Sequence, residues 1–383
     1  MKNKKICLIT SSRADYWVML PLIKYLSKSK NFSFKLIVTG SHFNKKFGNS
    51  VNFINRDKLR NIKYLKILKN LQNKDYVTDS ISLGLKKFNK YFKKTKPDIV
   101  CLPCDRFEIL GPALSAFFNN IPIAHFHGGE TSLGSQDETT RHCLTKISTI
   151  HFTSNEIHRK RVVQLGENPT NVHNVGNLSC ENISKTNLLN KKQLEKKLKI
   201  KFDKKSVLFT YHPITNDPKT TRKELDQILK ALQKLKKINF FITLPNIDRG
   251  REDVIKYINK ISKYKNLTVK IFNTLGGVLY YSLIKSVNCV IGNSSSGLVE
   301  VPFLGTESII IGLRQKGRFS EKGVQHINAD QKKIFLTIKK ILKKKKNKKK
   351  IKNSLATSKK IGNVLKNFNQ KNKLKKFYDI NFK

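Results

Sequence analysis

Four polar clusters in this 383-residue chain carry residue types suited to chemistry, and each directly follows a short apolar run. The first is Ser11-Ser12-Arg13-Ala14-Asp15-Tyr16. Small residues and then an arginine at a helix start suit an anion, because free backbone N–H groups and a guanidinium converge there. An ordinary serine cap with a surface arginine reads equally well. The second is Cys104-Asp105-Arg106-Phe107-Glu108. Asp105 beside Arg106 suits an acid or base held ionised by its neighbour, while Asp105 with Glu108 also reads as an acidic variant of a capping box.

The third cluster is His125-Phe126-His127-Gly128-Gly129-Glu130, continued by Asp137, Glu138, Arg141 and His142. Two glycines after a strand let a backbone approach a ligand closely. Glu130, Asp137 and Glu138 together supply the carboxylates that proton transfer to and from carbon requires. Strand alternation sends His125 and His127 to one face, but a metal site needs a third placed ligand, and none is evident. The fourth is Gly292-Asn293-Ser294-Ser295-Ser296-Gly297, with Glu300 beyond it. Hydroxyls and backbone donors at a helix start cradle phosphate; a plain Ser/Gly turn is the bland alternative. The G-x-x-x-x-G-K-[ST] pattern of a Walker loop is absent. Tyr211-His212-Pro213 and Asn246 follow further strands and add polar groups on the same side.

Strands ending in polar clusters must be held by something, and the chain supplies it. Apolar runs alternate with amphipathic stretches almost throughout, as in a parallel sheet covered by helices. The first half predicts strands at residues 5–10, 34–39, 98–102, 121–126 and 150–153, and helices from Ala14, over 77–94, 108–119, 139–148 and 156–165. The second half predicts strands at 206–210, 239–244, 267–271, 289–291 and 308–311. Its helices run over 223–236, from Glu252 and over 277–285, with a short helix after Ser296 and a Lys-rich helical tail from Gln331. The polar stretch 185–205 reads as the linker. The expected class is α/β, with domains at 1–180 and 181–383. Two doubly wound units place ligands at the carboxyl ends of their strands, in a cleft that the two domains face.

Composition narrows the classes. Hydrophobic residues make up 38% of the chain, enough for a sizeable core. No stretch approaches a membrane span, and the N-terminal run is too short for a signal peptide, which points to a cytoplasmic protein. The formal net charge of +51 raises nucleic-acid binding. The positive charge is mostly lysine spread along the chain, however, without the arginine and interleaved aromatics of base readers. Six scattered cysteines do not form a disulfide framework. Cys101 and Cys104 make a C-x-x-C after a strand, which keeps a redox pair open.

Taken in order, Ser-Arg-Ala-Asp-Tyr (12–16), Asp-Arg-Phe-Glu (105–108), His-Gly-Gly-Glu (127–130), Thr-Arg-His (140–142), Gly-Asn-Ser-Ser-Ser-Gly (292–297) and Arg-Gln-Lys-Gly-Arg (314–318) resemble the hydrolysing UDP-N-acetylglucosamine 2-epimerase family of sialic- and legionaminic-acid synthesis. The resemblance runs from Lys4 to about Arg318. It implies two Rossmann-like domains in the GT-B arrangement, and release of UDP and a free manno-configured sugar from a UDP-2-acetamido sugar. It implies Asp105, Glu130, Asp137 and Glu138 as proton-transfer carboxylates. His212 would join them at the reacting centre as well as on the diphosphate. Arg13, Ala14, Arg106, His212, Asn246, Asn293, Ser294, Ser295, Glu300 and Arg314 would contact UDP, and His127, Arg141 and His142 the sugar. It implies no metal, no redox cofactor, and a dimer or tetramer. Non-hydrolysing relatives carry Glu-Ala-Gly-Leu-Arg near the Gly-Gly-Glu position, so His127-Gly128-Gly129-Glu130 points to the hydrolysing branch. Cys104, where the family has glycine, and Trp17, where a small residue is common, depart from the pattern and bear on which sugar is used. A GT-B glycosyltransferase shares the expected fold but has no use for several carboxylates.

Overall fold

The computed structural model describes residues 3–44, 48–69, 73–132, 135–245, 248, 250–345, 356–369 and 375–380. The chain divides into two compact units: Met1–Glu130, Asp137–Asn182 and Ser354–Lys383 form the first, Thr131–Gln136 and Ile183–Asn353 the second.

The first unit runs β1 (Lys4–Thr10), α1 (Arg13–Lys28), β2 (Phe32–Val38), α2 (Val51–Arg56), β3 (Ile62–Tyr64), α3 (Tyr76–Thr95), β4 (Ile99–Pro103), α4 (Leu110–Phe118), β5 (Ile123–Phe126), α5 (Asp137–Ile147), β6 (Ile150–Thr153), α6 (Glu156–Gln164), β7 (Val172–Asn174) and α7 (Leu178–Lys185). The second runs α8 (Lys191–Leu198), β8 (Lys205–Thr210), α9 (Pro218–Gln233), β9 (Ile238–Thr243), α10 (Arg251–Ile261), β10 (Leu267–Phe272), α11 (Gly276–Ser286), β11 (Cys289–Gly292), α12 (Glu300–Phe303), β12 (Glu307–Ile311), β13 (Val324–Ile327) and α13 (Gln331–Lys343); α14 (Thr357–Asn367) returns to the first.

Each unit is a parallel sheet, ordered β3-β2-β1-β4-β5-β6-β7 and β10-β9-β8-β11-β12-β13. Parallel strands are covered on both faces, so they read as continuous apolar runs; Ile6, Leu8 and Ile9 of β1 and Val207, Leu208 and Phe209 of β8 are fully buried. In both sheets the strand order reverses, between β1 and β4 and between β8 and β11. Ligands bind at such switch points, at the carboxyl ends of the strands. All four polar clusters leave the ends of β1, β4, β5 and β11, and Tyr211-His212 leaves β8.

Three differences from the expected elements have local causes. The stretch read as a linker contains α8, started by a capping box between Asn190 and Gln193. Helix α9 starts at Pro218, ahead of the expected Lys223, because Asp217 caps it and proline fits the first helical turn. The Lys-rich tail does not simply follow the second unit, since α14 docks on α1. There the Ser358 N–H and hydroxyl donate to Glu181 at 2.6 Å each. The Lys4 ammonium donates to the carbonyls of Leu365 and Lys366 at 2.9 Å, capping the helix end. Pro21 lies inside α1 and leaves the Trp17 carbonyl without its helical donor; Asn182 Nδ2 donates to it at 2.7 Å.

Candidate functional site

In the first unit the turn after β1 is built around Asp15. Its buried carboxylate accepts hydrogen bonds from the Thr10 hydroxyl, from Ser11 N–H (3.0 Å) and hydroxyl (2.7 Å), and from Ser12 N–H (2.9 Å). Burial pushes its pKa up to about 6, against the lowering effect of the bonds from Thr10 and Ser11 and of the Arg106 charge. This network presents Arg13, half-buried, and Ala14, exposed, as the first residues of α1. The motif contained Asp15, but its type and spacing did not show that it organises the turn.

After β4, Cys104 takes a left-handed backbone with φ of 54°, a conformation open to glycine without strain. Its N–H donates to the Phe126 carbonyl, and its own carbonyl lies 2.7 Å from His125 Nε2. Burial pushes the thiol pKa well up, helped by the Asp105, Asp15 and Glu130 charges. Cys101 is buried and raised likewise. Burial thus works against thiolate formation at both positions of the C-x-x-C, and both cysteines are free.

Asp105 does not cap a helix. The turn that follows has Arg106 as its cap residue, with no side-chain cap bond. Glu108 is fully buried and receives Arg106 Nε at 3.1 Å. Asp105 instead pairs with Arg141, 1% exposed on α5. Arg141 also donates to Glu138 Oε2 at 2.9 Å and to the Glu130 carbonyl at 2.8 Å. One guanidinium thus ties together the ends of β4 and β5 and the first turn of α5. Burial alone lowers its pKa, yet the charges of Asp105, Glu130 and Glu138 outweigh burial and hold it above its ordinary value. Arg141 thus forms a charge hub among the carboxylates. Glu138 also meets His142 Nε2 at 3.2 Å. Glu130 is buried, and its Oε1 lies 3.0 Å from His127 Nδ1. Asp137, half-buried, is the first residue of α5. The first unit therefore brings Asp105, Glu130, Glu138, His127, Arg141 and His142 into one connected cluster.

In the second unit, Gly292 has φ of 133° and lies so close to β8 that a Cβ would meet the Thr210 carbonyl oxygen at 1.9 Å. The next residue, Asn293, is fully buried and clasps the His212 backbone: Oδ1 accepts its N–H at 2.6 Å, and Nδ2 donates to its carbonyl at 2.8 Å. The Asn293 carbonyl accepts from Gln315 Nε2 at 2.8 Å and Arg314 Nη1 at 3.3 Å. Arg314 Nε is buried without a hydrogen-bond partner among the described residues. His212 Nδ1 lies 3.4 Å from Asp248 Oδ2, a carboxylate that no sequence motif flagged. Ser294 caps a single 3₁₀ turn, Ser295–Gly297, and Ser296 meets the Tyr280 hydroxyl at 2.7 Å. The helix carrying Glu300 has four residues. The cradle expected at a helix start therefore rests on backbone N–H groups and hydroxyls, with little helix dipole behind it. Asn246 lies outside the described residues.

A family model described as UDP-N-acetylglucosamine 2-epimerase matches residues 24–366. The chain belongs to that family. It is 37% identical over 324 residues to the GDP/UDP-N,N'-diacetylbacillosamine 2-epimerase (hydrolyzing) of Campylobacter jejuni, covering 85% of this chain and 84% of that protein. It is also 37% identical over 319 residues to the polysialic acid biosynthesis protein P7 of Escherichia coli, covering 82% and 80%. Among solved structures, the UDP-GlcNAc 2-epimerase of Neisseria meningitidis bound to UDP-GlcNAc superposes with a TM-score of 0.78 at 19% identity, covering 94% of this chain and 99% of that one. That likeness carries the fold, the α/β class with two Rossmann-like domains. Among the described residues of this family member, no helix is long and apolar enough to cross a membrane.

Proposed function

We propose that the protein is a hydrolysing 2-epimerase that converts a UDP-2-acetamido sugar to UDP and the free manno-configured sugar. The observation that carries this reading is the Arg141 hub. It holds Asp105 and Glu138 by their carboxylates and Glu130 by its backbone, on three separate elements. A glycosyltransferase of the same fold has no need of such a carboxylate cluster, and the relatives are named as hydrolysing epimerases.

The chemistry runs in two steps. A carboxylate takes the proton from carbon 2 while the carbon 1–oxygen bond breaks, so UDP leaves and a 2-acetamidoglucal remains. Water then adds through oxygen to carbon 1, and a carboxylic acid returns a proton to carbon 2 on the opposite face. Asp105, Glu130, Asp137 and Glu138 are the proposed proton carriers. Arg13, Arg106, His212, Asn293, Ser294, Ser295, Glu300 and Arg314 are the proposed UDP contacts, with the free Nε of Arg314 suited to a phosphate oxygen. His212 also stabilises the departing diphosphate.

Either UDP-N-acetylglucosamine or UDP-N,N'-diacetylbacillosamine fits the 2-acetamido requirement, and the name of the Campylobacter relative adds the GDP-linked sugar as a third candidate. Proton NMR in deuterated water with each of the three tests the reading. Free nucleotide and a manno sugar deuterated at carbon 2 are expected, and the fastest substrate names the specificity. Intact sugar nucleotide in all three would overturn it.

A further inference from the structure

We propose that Glu224, a carboxylate on α9 that no sequence motif flagged, is a positioning residue for nucleotide binding, clamping together the two turns that flank the proposed phosphate cradle. The inference rests on the second-unit assignment of the UDP contacts and deepens it.

Glu224 lies on the buried face of α9 with Thr221, Leu225 and Ile228, and is 4% exposed. Burying a carboxylate is costly unless it is hydrogen-bonded. Glu224 accepts two bonds, and they come from the exits of two different strands. Oε2 accepts from the Tyr211 hydroxyl at 2.6 Å, and Oε1 accepts from the Leu313 N–H at 2.9 Å. Tyr211 directly follows β8 and precedes His212; Leu313 lies just beyond β12 and precedes Arg314. In the sheet β11 runs between β8 and β12, and the Gly292–Gly297 segment leaves β11. One carboxylate therefore joins the turns on either side of the cradle.

Both turns are shaped around this link. Gly312, at φ of 80°, presses its backbone against the carboxylate: a Cβ there would come within 2.1 Å of Glu224 Oε2. The Gly312 N–H donates to the Ile327 carbonyl at 2.9 Å, which fixes the turn to β13 on its other side. On the β8 side α9 takes a second hold, since the Thr221 hydroxyl accepts from the Ile214 N–H at 2.9 Å. Asn293 clasps the His212 backbone and receives Arg314 and Gln315 on its carbonyl. The Asn293 bonds fix each turn to the cradle; Glu224 fixes the turns to one another and to α9.

Calorimetric UDP titration of the full-length protein is the test, with urea unfolding to show that each titrated variant is folded. Glu224→Met keeps much of the side-chain volume and removes both acceptors. Glu224→Gln keeps an acceptor for the Leu313 N–H and offers an amide donor to the Tyr211 oxygen. Burial raises the Glu224 pKa against the two bonds that lower it, and the neutral amide relieves that burial cost. Losing one well-aligned bond to a charged phosphate costs about tenfold or more in affinity. UDP affinity is therefore expected to fall by about tenfold or more in Glu224→Met, and to return to the wild-type value in Glu224→Gln. Wild-type affinity in folded Glu224→Met would overturn the clamp, as would a loss in Glu224→Gln as large as that in Glu224→Met. Should Glu224→Met not fold, Tyr211→Phe keeps the ring and the Leu313 bond and releases only the β8 arm. Weakened UDP binding there supports the clamp, and the wild-type value overturns it. Failure of the wild type to bind UDP would overturn the assignment of the UDP contacts, and the clamp with it.

Discussion

Replacing Arg141 by methionine removes the cation and leaves much of the side-chain volume in place. In the wild type the buried guanidinium meets the Asp105 and Glu138 carboxylates and the Glu130 carbonyl. Breaking a buried ion pair by deleting one partner costs about 3–5 kcal/mol, because the other charge is left uncompensated. Here two carboxylates, each 18–19% exposed by side chain, lose the guanidinium together, and Glu138 keeps only its contact with His142 of those described above. Some water reaches them, so the lower end of the range, about 3 kcal/mol, is expected for the first unit. Turnover should fall by at least about 100-fold as the proton carriers lose register, while UDP affinity, assigned mainly to second-unit residues, changes little. Urea unfolding gives the stability and calorimetric UDP titration the affinity. Adding Asp105→Asn to Arg141→Met supplies a double-mutant cycle: the second substitution should cost less than it does alone, since it removes a charge already unpaired. A loss under about 1 kcal/mol, the range of exposed pairs, or strictly additive costs would refute the hub.

The other expectations are as local. Burial raises the Asp15 pKa from 3.8 to about 6, so the folded state holds this proton more tightly than the unfolded one. Its stabilising contribution is complete below pH 3.8 and is lost as pH rises through about 6. The loss is on the order of 3 kcal/mol, and Asp15→Asn should remove it from the stability–pH curve. Glu181→Ala strands the buried Ser358 N–H and hydroxyl; about 2–4 kcal/mol of α14 docking should be lost, seen as faster amide exchange in α14 and cleavage at Lys359 and Lys360. Gly292→Ala forces a Cβ onto the Thr210 carbonyl at a φ that side chains rarely adopt. It should cost at least about 2 kcal/mol and weaken UDP binding, measured by the same titration.

What could be read in advance follows the physics of each signal. Strands of parallel sheets are apolar on both faces, so β1, β4, β6, β8 and β11 stand out within a residue or two of their ends. Strands β3 and β7 have three residues each and sit at sheet edges, too short for any periodicity to register. The polar clusters were legible because residues that follow strand ends at a switch point have little other reason to be densely charged. Their internal wiring was not. A capping box and a catalytic carboxylate look alike as Asp105 with Glu108. Only the placement of α5, 36 residues away in sequence, shows that Asp105 belongs to Arg141. The roles of Asp248 and of Gln315, which lies inside the Arg-Gln-Lys-Gly-Arg motif, were hidden for the same reason, since the partners that show them, the His212 imidazole and the Asn293 carbonyl, are distant in sequence.

The hub reaches each of the carboxylates differently. Arg141 binds the side chains of Asp105 and Glu138 and the backbone carbonyl of Glu130, whose carboxyl meets His127 and whose charge also acts on the guanidinium. Elimination needs a base that is ionised when substrate arrives; hydration needs an acid that can be reloaded. Under the proposed mechanism the clustered carboxylates share these two roles. Two carriers with different partners also fit inversion at carbon 2, which requires that the proton leave one face and arrive at the other.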